Sequence, residues 1–272
     1  MRATVSEPLA PDLERRFAGL RRLYGDAGYE RVRVARVAIV GAGGVGSWAA
    51  EALARSGVAE LTLIDLDHVA ESNINRQVQA LGATLGMAKV WALAERIADI
   101  HPGCVVHCVE EFAAPENWPG LLPAPVDVVI DACDQVRAKF ALAAWALAGR
   151  TPFVCVGAAG GKQLAQRVDV DDLAQVTHDP LLASLRQRLR REAGAARQGV
   201  VGLRCVYSRE SVRLPDAAGC DVSDGAVEAN LNCHGYGSSV TVTATFGLAA
   251  AGEAIQQVLA AAERQSRKTV SL

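Results

Sequence analysis

An α/β fold built on a mostly parallel, doubly wound sheet is predicted by three observations on this 272-residue chain. A short β-branched run, RVAIV (Arg36 to Val40), leads directly into GAGGVGSWAAEALARSGV, and a second apolar run, LTLIDLD (Leu61 to Asp67), follows after Gly57. Strand, glycine turn, helix and strand within about thirty residues is the size of one βαβ unit. The same alternation then returns more loosely, and strands alternating with helices imply a parallel sheet covered on both faces. Finally, 50% of the residues are hydrophobic and 21% charged, a globular balance in a chain long enough to bury a core without staples. The pattern is Rossmann-like, with an Arg-rich insertion before the C-terminal helix.

Taken in order, Leu13, Phe17, Leu20, Leu23 and Tyr24 recur at helical spacing among arginines, which predicts an N-terminal helical arm over 1–35. The main domain is expected over 36–272. Beyond the βαβ unit, Gly86 to Ile100 reads as a helix ending near Pro102 and Gly103. Val105 to Val109 and Val126 to Ile130 read as strands, Arg137 to Ala148 as an Ala- and Leu-rich helix, and Phe153 to Val156 as a strand opened by Pro152. After Gly161 the rhythm breaks. A polar, Arg-rich insertion is expected at about 178–232, with turn signals at Asp179-Pro180, Gly219 and Asp224-Gly225. Helical spacing resumes from Thr241 to Ala262.

A net charge of −2 says nothing about partners, so any nucleic-acid surface must be local. The cysteines Cys104, Cys108, Cys133, Cys155, Cys205, Cys220 and Cys233 are odd in number and contain no C-x-x-C pair, which excludes a disulfide framework and a zinc ribbon. The N-terminal MRATVSEPLAPDLERRF lacks a signal's apolar core. The stretch VTVTATFGLAAAGEAIQQVLAAAE is too interrupted for a firm membrane span, although peripheral contact stays open. These features fit a reduced, cytoplasmic compartment.

Gly41, Gly43 and Gly46 form G-x-G-x-x-G between strand and helix. The first glycine permits a tight turn, the second lets backbone approach a phosphate, and the third lets helix pack on strand. The helix that starts here offers free N–H groups and a positive dipole end to an anion. Asp65, 24 positions after Gly41, suits ribose hydroxyls. Up to Asp65 a nicotinamide dehydrogenase fits equally. The residues beyond it fit one poorly: Asp65-Leu-Asp67 continues into HVAESNINRQ, with Asn73 and Arg76, and then come Lys89 and Asp131-Ala-Cys-Asp134. Two cations and a spare carboxylate around one nucleotide suit Mg-triphosphate chemistry, the carboxylate holding metal and the cations spreading phosphate charge. Surface charge is the alternative for Arg76 and Lys89, and a cap for Asp131. Asp67 is either a second nucleotide contact or a loop acid.

In this order of motifs the chain resembles the ThiF/MoeB/E1 adenylating superfamily. Within it, RRLYG, SNINRQVQAL, GMAKV, VGAAGG, HDPLLASLRQRL and TVTATFG are most similar to the tRNA threonylcarbamoyladenosine dehydratases. The resemblance implies that Gly41, Gly43 and Gly44 cradle ATP phosphates and that Asp65 holds the ribose. It implies phosphate binding and charge stabilisation by Asn73, Arg76 and Lys89, and Mg²⁺ binding by Asp134, with Asp131 the poorer candidate. By the same resemblance Arg22, from the RLYG segment, looks like the arginine that superfamily dimers insert into the partner's site, with Arg16 and Arg21 as rivals. The implied reaction is ATP-dependent cyclisation of N6-threonylcarbamoyladenosine in tRNA through an acyl-adenylate, releasing AMP and pyrophosphate. A homodimer, a structural monovalent cation and a cysteine-desulfurase sulfur-acceptor system as partner come from the same source.

Leu181, Leu182, Leu185 and Leu189 lie on one side of a predicted helix that also carries Arg186, Arg188, Arg190 and Arg191. This is a candidate RNA phosphate track or a plain amphipathic surface helix. Gly157, Gly160 and Gly161 with Lys162 either open the substrate crevice or form a turn. Cys233-His234 reads as a structural loop, with a catalytic or metal pair as the alternative, His101 and His107 as scaffold, and Cys133 and Cys155 as small apolar residues. The main rival activity is adenylation of the C-terminal glycine of a ubiquitin-like sulfur-carrier protein. A dehydrogenase would leave Arg76, Lys89 and Asp134 without work, and a non-catalytic scaffold would not need them.

Overall fold

Six α-helices and seven strands, with three short 3-10 turns between them, make up the part of the chain that the computed structural model describes, residues 11–213 and 236–270. The helices are α1 (Leu13–Arg33), α2 (Gly46–Arg55), α3 (Lys89–Ile100), α4 (Val136–Gly149), α5 (Pro180–Glu192) and α6 (Val240–Val270). The strands are β1 (Arg36–Val40), β2 (Glu60–Ile64), β3 (Val105–Val109), β4 (Val128–Asp131), β5 (Phe153–Val156), β6 (Val168–Asp172) and β7 (Arg204–Ser208). They form one seven-stranded sheet in the order β3-β2-β1-β4-β5-β7-β6, parallel except for the β6–β7 pair.

The apolar runs become central strands because both of their faces are covered. One face packs on α2, α3 and α6 through Leu53, Leu93, Ile97 and Phe246 against Val37, Ile39, Leu61 and Leu63. The other packs on α4 and α5 through Leu142, Ala146, Leu182, Leu185 and Leu189 against Val40, Val129 and Cys155. The α2–α6 contact is close enough that a Cβ on Gly247 would lie 2.5 Å from the carbonyl oxygen of Val45. Helix α3 begins at Lys89 rather than Gly86, because Gly86 has φ +83° and Ala88 is held extended with ψ 135°.

Helix α1 is two helical pieces merged across Gly25 (φ 71°, ψ 174°) and it packs through Phe17, Tyr29 and Val32. Its arginines anchor it. Arg16 donates to the Asp99 and Ile100 carbonyls at the end of α3, and Arg31 pairs with Asp127 at 2.9 Å. Arg33 lies over the Phe17 ring and donates to Gly57 O and His101 Nε2.

The stretch expected as an Arg-rich insertion at 178–232 is partly fabric of the sheet. It supplies α5, and β7 sits between β5 and β6 with Cys155 opposite Cys205. Residues 214–232, with the Gly219 and Asp224-Gly225 turn signals, lie outside the described residues, as does Cys233-His234. Strands β6 and β7 are hard to read in the sequence because VDVDD carries alternate acids and RCVYS starts on an arginine. Those acids belong on an edge: Asp169 pairs with Arg209 and Asp171 with Arg204, charges that discourage a further strand from pairing there. Among the described residues no helix is long and apolar enough to cross a membrane.

Candidate active site

The chain leaves β1 for β2 on one side of the sheet, while β4 lies on the other, so a crevice opens at the strands' carboxyl ends where the order reverses. Gly41, Gly43, Gly44, Asp65, Asn73, Arg76, Lys89 and Asp134 all line that one crevice. The glycines are dictated by geometry. Gly41 turns with φ +93° and a Cβ there would meet the Ala132 backbone at 2.9 Å, while a Cβ on Gly46 would overlap the Gly41 carbonyl. A Cβ on Gly43 would meet nothing within 4 Å, so its backbone faces open space. No side chain caps the start of α2; the Ser47 N–H turns back to Gly43 O at 3.1 Å, and the positive end of the helix dipole still favours an anion there.

Asp65 closes this loop. Its Oδ2 accepts the Ala42 N–H at 2.6 Å and its Oδ1 the Asp67 N–H at 2.9 Å. Burial pushes its carboxyl above the usual aspartate range, against the pull of Lys89. Lys89 Nζ lies 2.6 Å from Asp67 Oδ2 and 3.9 Å from Asp65 Oδ1. Asp67 thus aims the lysine. Arg76 donates to Ser72 O at 2.6 Å and to Asn75 Oδ1 at 2.9 Å, and it pairs with no acid among the described residues. Its methylenes lie against Gly44, and the half-buried Trp48 indole donates to its carbonyl at 2.9 Å. Buried Asn73 uses Oδ1 to accept the Ala70 N–H, so it holds the turn that carries Arg76.

The two acids of Asp131-Ala-Cys-Asp134 differ sharply. Asp131 is fully buried: Lys139 Nζ donates to its Oδ2 at 2.8 Å, and the Cys133 N–H and thiol donate to its Oδ1 at 3.2 and 3.0 Å. Lys139 also donates to Val156 O at 2.9 Å. Burial works against the ammonium, but the Asp131 carboxylate holds it above the ordinary lysine range. Burial and the same acid push the Cys133 thiol well up, so it stays protonated. Asp134, by contrast, lines the crevice and has no hydrogen bond to another described residue. It is the carboxylate free to meet a ligand.

Gly157, Ala159 and Gly160, after β5, also line the crevice, Ser238 and Thr243 line it beside Asn75 and Gly44, and Glu111 and Phe112 complete the lining. Sequence reasoning does not find Phe112, Glu111, Ser238 or Thr243. Their only signal is position, directly after β3 or at the start of α6. It also misses Lys139, which reads as one more surface charge inside an Ala-rich helix.

Other candidates lie away from this crevice. Arg22 is exposed on α1, whereas Arg16 is spent on α3 and Arg21 on Asp26, Glu14 and Glu30. On α5 the four leucines are buried as expected, but the arginines divide. Arg186 donates to the Leu173 and Val176 carbonyls, and Arg188 lies over the Phe140 ring and pairs with Glu192. Arg190, Arg191 and Arg197, with Arg186 beneath them, line one surface cleft. His101 is scaffold: burial and then Arg33 push it down to about 4.

Comparison with known proteins agrees with this geometry. The ThiF family model matches residues 14–271. The tRNA threonylcarbamoyladenosine dehydratase of Escherichia coli is 41% identical over 92% of this chain and 96% of its own. That of Haemophilus influenzae is 38% identical over 90% and 94%. The crystal structure of the E. coli enzyme in complex with ATP superposes with a TM-score of 0.83 at 39% identity, covering 95% of this chain and all of that one.

Proposed function

The chain belongs to the ThiF family, and from that premise we propose that it dehydrates N6-threonylcarbamoyladenosine in tRNA, consuming ATP. The carrying observation is the crevice itself. One glycine loop, two cations and one unengaged carboxylate face a common space at the sheet's switch point. The E. coli and H. influenzae relatives are dehydratases of this kind over nearly their whole length, which supplies the substrate class.

The chemistry starts from what a carboxylate lacks. It is a poor electrophile and must first acquire a leaving group. Its oxygen attacks the α-phosphorus of ATP, pyrophosphate leaves, and an acyl-adenylate forms. The ureido group of the same side chain then attacks the acyl carbon and gives up a proton, AMP leaves, and a ring closes with net loss of one water. Because electrophile and nucleophile share one side chain, the second step is intramolecular, where effective molarities reach roughly 10⁵ M or more in well-oriented cases. No enzyme thiolate is required, in keeping with the protonated Cys133.

Each residue has a task in this scheme. The Gly41–Gly44 backbone and the start of α2 receive phosphate oxygens, and Asp65 accepts from ribose hydroxyls. Lys89, swung from Asp67, and Arg76, swung from Ser72 O, neutralise charge on the phosphorus under attack. Asp134 fits Mg²⁺, an ion that takes one or two carboxylates plus substrate phosphates rather than a dedicated cage, and no cluster of three or more such ligands exists among the described residues. Bound there, the ion would screen triphosphate charge.

The working form is a cytoplasmic homodimer in which Arg22 reaches the partner's crevice, a role supported by its exposure and by the engagement of Arg16 and Arg21. A cysteine-desulfurase sulfur-acceptor partner rests on family resemblance. The RNA lies along Arg190, Arg191 and Arg197, which line one surface cleft: Arg190 donates to the Ala196 carbonyl and Arg191 pairs with Glu192 at the surface, whereas Arg186 and Arg188 hold α5 to the body. Neutralising all three should weaken tRNA binding and flatten its salt dependence.

The test incubates the purified protein with ATP and Mg²⁺ plus either threonylcarbamoylated tRNA or a ubiquitin-like carrier. Nucleoside mass spectrometry should show loss of one water with stoichiometric AMP only in the tRNA arm. Adenylated carrier, or ADP in place of AMP, would overturn the reading.

A further inference from the structure

Three ionic side chains outside the nucleotide residues are buried together behind the far wall of the crevice. Lys162 and Asp179 side chains are fully buried with Nζ 3.9 Å from Oδ2, and the Glu210 side chain is 7% exposed. Between them they hold the loop that leaves β5. Asp179 Oδ2 accepts the Ala158 N–H at 2.8 Å, and Glu210 Oε2 accepts the Gln163 and Leu164 N–H groups at 2.9 and 2.8 Å. Lys162 donates to Ser208 O at 3.4 Å, at the end of β7. The other oxygen of Asp179 accepts the Leu182 N–H at 3.0 Å and so caps α5. Gly157 is obligatory here, because a Cβ would collide with the Asp179 carboxylate and lie 2.9 Å from Leu182.

Such a trio is an expensive way to gain stability, since the desolvation of buried charges can exceed their attraction. What it does achieve is geometric. Gly157, Ala159 and Gly160 line the crevice at the end of β5, two strands from the glycine loop that follows β1. Their backbone is set by Asp179 from below, and that same carboxylate starts the helix bearing Arg190 and Arg191. None of the three ionic groups has a hydrogen bond or ion pair to Asp65, Arg76, Lys89 or Asp134. We propose that Asp179, Lys162 and Glu210 form a positioning unit for the acceptor: they fix the wall against which the modified base lies and hold the RNA-facing helix in register with it. This rests on the tRNA-dehydratase reading and adds a residue set that the nucleotide motif does not contain.

The unit predicts a split between acceptor and ATP. Asp179→Asn keeps the helix cap, because Asn and Asp are about equal at that position, but it places an amide nitrogen where the Ala158 N–H needs an acceptor. With tRNA varied, kcat/KM should fall at least tenfold, while ATP affinity measured by calorimetry stays within twofold. Gly157→Ala displaces the same carboxylate from the other side and should give the same split. If Asp179→Asn does not accumulate folded, Glu210→Ala, which removes the acceptor of the Gln163 and Leu164 N–H groups, serves in its place. An unchanged tRNA kcat/KM, or an ATP affinity that falls in parallel, would overturn the proposal. The wild-type product assay alone judges the dehydratase reading. The ratio of variant to wild type judges the positioning unit, and filter retention of tRNA gives that ratio independently of turnover.

Discussion

Lys139→Met should cost this protein about 3–5 kcal/mol of stability, the usual penalty for stranding one member of a buried ion pair. The structure supports the upper part of that range. Lys139 and Asp131 are both fully buried and 2.8 Å apart, a separation worth about 6 kcal/mol of gross attraction at an effective dielectric of about 20. Methionine fills most of the lysine's volume, so little cavity is added. What remains is a carboxylate with only the Cys133 N–H and two thiols as donors, at 3.0 to 3.5 Å. For a protein near this size each kcal/mol shifts Tm by about 2–4 °C, so thermal unfolding should move down by roughly 6–20 °C. The decisive arm is Asp131→Asn with Lys139→Met. Removing both charges leaves no orphan ion, and the double variant should recover most of the loss. A single variant within about 1 kcal/mol of wild type, or a double variant no better than the single, would refute the assignment of Asp131 to structure rather than to metal.

The same geometry carries other expectations. Arg76→Ala or Lys89→Ala should lower turnover at least tenfold with the fold intact, since removing one electrostatic donor typically costs about 3–4 kcal/mol of barrier; near-normal AMP release by both would contradict it. Asp134→Asn should abolish AMP formation yet leave Tm unchanged, the reverse of the Asp131 pattern. Because burial raises the Asp65 carboxyl, its protonation on acidification begins above the ordinary aspartate range and removes a ribose acceptor, so KM for ATP should rise there as pH falls. A KM that stays flat until the ordinary aspartate range is reached would remove Asp65 from that role. For His101 the folded value, about 4, lies below the unfolded one of 6.5, so the unfolded chain binds the proton first. Stability should therefore fall as pH drops through that window, and His101→Gln should flatten the fall in urea titrations.

The glycine loop was legible because each glycine answers a backbone demand that leaves a trace in sequence: the left-handed turn at Gly41, the contact of Gly46 with the Gly41 carbonyl. Strands β1, β2, β4 and β5 were legible because strands buried on both faces must be apolar runs, and β3, although an edge strand, keeps a β-branched run. The other edge was not. VDVDD and RCVYS look like loop until Asp169 and Asp171 are seen paired with Arg209 and Arg204 across one ladder. At the site, sequence order supplied the charges but not their partners. Nothing along the chain says that Asp67 aims Lys89, or that Lys139 occupies Asp131 and leaves Asp134 free. The α5 arginines make the same point. Four looked equivalent, yet Arg186 and Arg188 are anchored inward by carbonyls and a ring, and Arg197, from beyond the helix, joins the cleft instead.

The hydrogen bond from the Trp48 indole to the Arg76 carbonyl gives the molecule an intrinsic optical gauge. The other three indoles sit elsewhere: Trp91 on Glu110, and Trp118 and Trp145 edge to face with each other. If the triphosphate draws Arg76 off Ser72 and Asn75 as proposed, the field at Trp48 should change, while Trp118 and Trp145 have no contact with that arginine. Emission from the unlabelled protein, resolved by a Trp48→Phe control, can therefore follow the triphosphate's arrival in a stopped-flow cuvette.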